Sequence, residues 1–325
     1  MPHPEVRKGR IVVWWCVLSD FLNAPRSYVR RDRRSVLRVA TRIRGDTARC
    51  GIWSPRDGID TVEPVALAEI ELDGVTDLVS HVLDGGRGRS WFRGQGCDHW
   101  GLKSSLSRRL GTAGASQVLA TETRLLTRFR QRSLPLWPEG YPQSNWEHLF
   151  AMQHYGVPTR LLDWSESLLV AAFFAGDHDQ ANNGCIIGAC RPTVWVLDPR
   201  KLNAENPRLQ GTGADVLTTT DLQAEHWAPG VSETQFGPWP IAMYGTHNSA
   251  RIVAQQGTFT VDGKEQAPLE ASAAVSGHDD VLEKIVLNVS HHDLVEQLRY
   301  LGVRRGTVYP DLPSLAADIT SEEVD

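Results

Sequence analysis

Three separated stretches hold the residues whose types and spacing could do polar chemistry. In the first, Trp91-Phe92-Arg93-Gly94-Gln95, an arginine precedes a glycine. A guanidinium presents a planar fork of donors to phosphate or carboxylate, and glycine lets another backbone come close. The second runs from His148 to Ala175. It carries Gln153, His154 and Tyr155, a turn at Gly156-Val157-Pro158, then Thr159, Arg160, Asp163, Trp164 and Ser165 ahead of a small-residue apolar run. The third holds Arg251, Gln255 and Gln256 before Gly257. Each has two readings. Arg93 is an anion holder or a strand-end ion-pair partner. Arg160 and Asp163 are a buried structural pair or the lining of a pocket. His154 is a core or capping histidine or a catalyst. The two glutamines offer amides to a ligand or serve a turn.

These residues need elements to hold them. Alternation predicts a short strand over 65–72, and an apolar face predicts a helix over 76–83. Trp91 and Phe92 favour a strand over 89–95, and residues 100–108 read as loop and turn. Leu119, Leu125, Leu126 and Phe129 share one face of a helix over 117–132. Residues 147–154 read as a further helix. The run 168–175 is apolar almost all round, so it reads as a buried helix, with Ser165 or Asp163 at its N-cap and Gly176 ending it. Strands are expected at 185–189, 193–197, 258–261 and 283–289, and a helix capped by Ser290 through Tyr300. That cap also accounts for His291-His292-Asp293 without a metal.

The totals narrow the class. A chain of 325 residues, 41% hydrophobic and 22% charged, is long enough for one large domain or two small ones and ordinary for a soluble protein. Five cysteines without CxxC spacing suit a reducing, cytoplasmic setting and argue against a zinc site. No apolar run reaches membrane-spanning length. Residues 1–60 hold 13 Lys/Arg against 6 Asp/Glu, whereas the rest holds 21 against 33. The body is therefore acidic, which disfavours duplex nucleic acid as a bulk-charge partner. Residues 1–64 read as an Arg-rich, poorly ordered or partly helical segment, and residues 316–325 as a frayed end.

Three blocks match one family. Trp91-Phe-Arg-Gly-Gln95, then Gln153-His-Tyr-Gly-Val-Pro-Thr-Arg-Leu-Leu-Asp-Trp164 with Ala171-Ala-Phe-Phe-Ala175, then Arg251-x3-Gln255-Gln-Gly-x-Phe259 resemble, in order, the FRG domain, named for its Phe-Arg-Gly motif. The ending Tyr309-Pro-Asp-Leu312 is similar too, so the resemblance spans roughly 65–315. A more distant likeness is to ADP-ribosyltransferase folds, in which a strand ends in Arg-Gly, small polar residues precede an Ala/Phe-rich helix, and a later strand supplies a glutamate. By that analogy the fold is α+β, a split mixed or antiparallel sheet with flanking helices.

The likeness implies a site for NAD, as substrate and without a metal. Arg93 would hold phosphate or ribose, Tyr155 or Trp164 would stack on nicotinamide, Gln255 or Gln256 would bond the ribose, and Asp163 would supply the carboxylate. Arg93, Asp163 and Gln256 form the expected catalytic set. Gln95, His154, Tyr155, Thr159, Arg160, Trp164, Ser165, Arg251 and Gln255 form the expected binding set. The implied activity is ADP-ribosyl transfer to a protein or nucleic-acid acceptor, or hydrolysis of the nicotinamide–ribose bond. Kinship adds a defence or toxin-like role. A neutral glutamine in place of the glutamate cannot serve as a base, which leaves open a non-catalytic module that recognises a nucleotide or a partner. A third possibility is that Arg93, Arg160, Asp163 and Arg251 form a structural ion-pair network.

Overall fold

The computed structural model describes residues 67–137, 141–177, 190–213, 215–246, 249–278 and 280–324. The Arg-rich segment and the strand expected at 185–189 lie outside the described residues. The strands are β1 (Glu69–Leu72), β2 (Trp91–Gln95), β3 (Leu161–Ser165), β4 (Thr193–Leu197), β5 (Ile241–Met243), β6 (Gly257–Val261) and β7 (Leu282–Leu287). The helices are α1 (Val75–Asp84), α2 (Ser105–Leu110), α3 (Ala115–Ser133), α4 (Asn145–His154), α5 (Leu168–Gly176), α6 (Pro199–Glu205), α7 (Ala250–Gln255), α8 (His291–Tyr300), α9 (Arg305–Val308) and α10 (Leu312–Glu323). The α+β expectation holds: the strands form one mixed sheet in the order β1-β7-β4-β2-β3-β6-β5.

The sheet is divided at its middle. β2 pairs with β4 along its whole length, and β3 with β6 along its whole length. β2 and β3 meet only where Phe92 faces Ser165. Side chains alternate across a strand, so this register sets Phe92, Gly94, Leu161, Asp163, Ser165, Phe259 and Val261 on one face. Trp91, Arg93, Leu162, Trp164 and Thr258 stand on the other.

The first face carries two separate cores. Beneath α1, α5 and α8, Phe92, Val194, Val196 and Ile285 pack with Ala171 and Leu294. Beneath α3 and α4, Leu161, Phe259 and Val261 pack with Leu119, Leu149 and Phe150. The opposite face is a third core built on Trp91, Leu162, Trp164 and Trp195. The two cores of the first face adjoin at the β2–β3 divide.

Local chemistry differs from the expected elements at several points. Residues expected as a loop form α2, because the Ser104 hydroxyl accepts from Ser107 N and Leu106 is buried. Asp163 and Ser165 sit in a strand and do not cap α5; the cap is Ser167. Gly176 ends no helix by a left-handed turn, but lies where a Cβ would press on Val295 and His291 of α8. The expected frayed end is largely α10, capped by Asp311 and tied down by Asp318, which accepts from Gly306 N at 2.6 Å. That helix turns Leu312, Leu315 and Ile319 outward. No helix among the described residues is long and apolar enough to cross a membrane.

Candidate functional site

A cleft of about 40 Å³ opens at the divide. Phe92, Arg93, Gly94, Asp163, Trp164, Ser165, Phe174, Ile252, Gln255, Gly257, Thr258 and Phe259 line it. Strand β2 forms one wall because Gly94 has no side chain. A Cβ there would stand 1.8 Å from Ala171 O and 2.6 Å from Ala175 N, so only glycine lets α5 lie directly on the strand. Helix α5 then presents Phe174 to the cleft. The third motif supplies the remaining wall: Ser249 caps α7, and Gln256 ends it at φ 47°, which turns the chain into β6.

The two central residues meet across the opening. Arg93 and Asp163 project from opposite faces of the sheet, yet Arg93 Nη1 donates to the Asp163 carbonyl at 2.7 Å. That carbonyl lies beyond the last β2–β3 pair, so the guanidinium takes the place of a neighbouring strand. Arg93 Nε is buried and makes no hydrogen bond. The Asp163 carboxylate accepts from Gln153 Nε2 at 2.7 Å through Oδ2, while Oδ1 is buried without a partner. Burial pushes this carboxyl above its ordinary value, against the opposing pull of Arg93, the Gln153 donor and Arg251.

The other expected residues divide into those at the cleft and those used elsewhere. Gln255 lines the cleft; its amide donates to Val308 O at 3.2 Å, and its carbonyl accepts from Ser165 Oγ at 2.7 Å. Gln256 is exposed at the left-handed cap and does not line the cleft; its carbonyl accepts from Glu166 N at 3.0 Å. Trp164 lines the wall, but its ring lies in the core of the opposite face, with Nε1 donating to Thr260 Oγ1 at 3.1 Å. Tyr155 is 62% exposed and packs edge-on against His154 and Trp137, away from the lining. Gln95 is a buried acceptor for Trp195 Nε1 at 2.7 Å. Thr159 is buried and donates to Gln153 Oε1.

Arg160 departs furthest from expectation. It is wholly buried and grips Glu122 of α3 bidentately at 2.8 and 2.9 Å, and it also donates to Asp262 O and Trp227 O. Its partner is therefore Glu122, and the expected Arg160–Asp163 pair is absent. Glu122 had a signal: it falls on the stripe Leu119, Glu122, Leu126, at the spacing of a helix's core face. Gln153, which holds Asp163, stood in the family-like block but not among the expected site residues.

Arg251 lies with its guanidinium 4.4 Å from the centre of the Tyr309 ring, whose edge meets Phe174. Its charge reaches His154. Burial first, then Arg251, push that imidazole down to about 4 from an ordinary 6.5. A histidine held neutral in the fold stabilises it fully above the unfolded value, and that contribution is lost as pH falls toward the folded one. The gap in unfolding free energy between the parent and His154→Gln is therefore expected to change as pH falls from about 6.5 to about 4, to the parent's disadvantage, and to level off below. Urea midpoints measured across that window check it. A gap independent of pH would show that His154 is ordinary.

Among the described residues, no cluster of three His, Cys, Asp or Glu is arranged to hold a metal ion. No curated protein and no solved structure matches the chain. One family model does: the FRG domain matches residues 88–184, which run from β2 through α5 and include Arg93, Gly94, Gln153 and Asp163 but neither α7 nor β6. The chain is an FRG domain-containing protein.

Proposed function

We propose that the cleft binds NAD or a related nucleotide, with the nicotinamide–ribose end against Asp163, in a cytoplasmic setting. The observation that carries this reading is the Asp163 carboxyl: buried, held at one oxygen by Gln153, unpartnered at the other, and beside a guanidinium whose Nε is also unpartnered. Buried polar atoms are normally satisfied, so a pair of orphans at one cleft supports a ligand that offers both a donor and an acceptor. A ribose with its carboxamide ring does so. The lining aromatic rings are Phe92, Phe174 and Phe259, and in this reading they replace Tyr155 as the surface for the ring. Arg251 supplies the cation for phosphate.

Asp163 is the only carboxylate among the described lining residues. Cleavage of the nicotinamide–ribose bond builds positive charge on the sugar, which a nearby carboxylate stabilises. Asp163 takes that role, whether the ribosyl group passes to water or to a protein or nucleic-acid acceptor. The exposed position of Gln256 favours a second reading, recognition without turnover, because the third motif then brings no carboxylate to the cleft. Thermal unfolding with NAD, ADP-ribose and nicotinamide, together with chromatography of released nicotinamide, separates the two. NAD is expected to raise the Tm by mass action. A shift with nicotinamide release supports transfer or hydrolysis, a shift without release supports recognition, and no shift with any of the three ligands would overturn both.

A further inference from the structure

Asp163 lines the cleft with one carboxylate oxygen left without a partner, and a chain of hydrogen bonds decides which. Leu161 N donates to Thr159 Oγ1 at 3.1 Å. The Thr159 hydroxyl hydrogen is then directed to Gln153 Oε1. With its carbonyl end engaged, Gln153 has only its amide nitrogen left to face Asp163, and Nε2 donates to Oδ2 at 2.7 Å. Thr159 is itself anchored at both backbone groups: its N–H donates to Ser105 Oγ at 3.1 Å, and its carbonyl accepts from Leu106 N at 3.0 Å.

We infer that the Thr159–Gln153 pair is a positioning device that reserves Asp163 Oδ1 as the atom that exchanges a proton or a hydrogen bond with whatever enters the cleft. A proton on Oδ2 would set donor against donor at Gln153. Any proton that Asp163 carries therefore resides on Oδ1. The ionised carboxylate offers Oδ1 as an acceptor, and the acid form offers it as a donor. On the nucleotide reading above, which this step rests on for its ligand, the partner of the ionised form is a single donor such as a ribose hydroxyl or a carboxamide N–H. The charged and titratable groups around Asp163 are Arg93 from β2 and Arg251 from α7, with His154 on α4 beside Arg251. Burial raises the carboxyl against them, which favours the form that carries the Oδ1 proton.

The test needs no ligand, so it stands apart from the fate of the nucleotide reading. Carboxyl carbon NMR of the full chain, with the Asp163 signal assigned by its loss in Asp163→Asn, reports the titration midpoint. In the parent, the Gln153 side-chain amide signals are expected to move with the same midpoint, because they face the titrating group. Gln153→Leu removes a donor to the ionised form, so the Asp163 midpoint is expected to move to higher pH. Thr159→Val is expected to move it the same way, and Thr159→Ser to restore it. A merely structural role would change stability without moving this titration. Gln153 amide signals that ignore the Asp163 transition, or midpoints identical in the parent and in folded Gln153→Leu or Thr159→Val, would overturn the inference. The parent measurement alone decides if a variant fails to fold.

Discussion

Arg160→Ala is expected to lower the unfolding free energy by about 3–5 kcal/mol, the range for breaking a buried ion pair from one side. Arg160 and Glu122 both have fully buried side chains. Removing the guanidinium strands the carboxylate and also leaves the carbonyls of Asp262 and Trp227 without their donor. It strips the guanidinium from above the Phe236 ring as well. Glu122→Ala is expected to cost a similar amount, because it strands the guanidinium. The double change Arg160→Met with Glu122→Leu is expected to be much milder than either, since apolar replacement of both partners removes the desolvation penalty together with the attraction. Urea unfolding with constant slope checks all three. A loss below about 1 kcal/mol for Arg160→Ala would mean that the pair is solvated. This result also separates Arg160 from the cleft: its loss acts on the fold, and through the fold alone on any ligand.

Gly94→Ala is expected to cost about 3 kcal/mol, the upper end for overpacking. Both atoms that its Cβ would strike most closely, Ala171 O and Ala175 N, belong to the backbone of α5. A flexible side chain could swing aside, but a helix backbone cannot. Helix α5 would have to lift from β2 and carry Phe174 out of the cleft wall. Differential scanning calorimetry is expected to show a lower Tm, and the folded fraction is expected to bind ligand poorly. An unchanged Tm would show that α5 rides loosely on the strand. The glycine of the family's Phe-Arg-Gly motif is thus explained by packing, and the arginine before it by the carbonyl it caps at the strand divide.

The elements were legible where periodicity and caps were strong. The strands β2, β4, β6 and β7 and the helices α1, α3, α4 and α8 fall close to their expected places because apolar alternation or a 3.6-residue stripe is a direct imprint of one buried face. β3 was harder. Leu161-Leu162-Asp163-Trp164-Ser165 is buried on both faces of a central strand, so it carries no clean alternation, and Asp163 read as a helix cap. The site was half legible. Arg93, Asp163 and Gln255 share the cleft, as three distant segments converging on one site required. Two things were not visible in a one-dimensional pattern. Which face each side chain takes depends on the Phe92–Ser165 register, and this sets Arg93 and the Asp163 carboxylate on opposite sides. Which of two adjacent glutamines points inward depends on the left-handed turn at Gln256, which a non-glycine residue adopts rarely. Arg160 reads as a buried pair partner or a pocket residue and Thr159 as a ligand contact, but their partners, Glu122 and Gln153, lie on α3 and α4 and are fixed only by packing.

The central claim is that Asp163 faces a nucleotide across the divided sheet, and isothermal titration of NAD into the intact protein tests it most directly, with Asp163→Asn and Arg93→Ala run alongside. The expected result is saturable one-site binding, weakened about tenfold or more in each variant, as loss of a charged hydrogen bond requires. No heat of binding at millimolar NAD, with both variants indistinguishable from the parent, would contradict it.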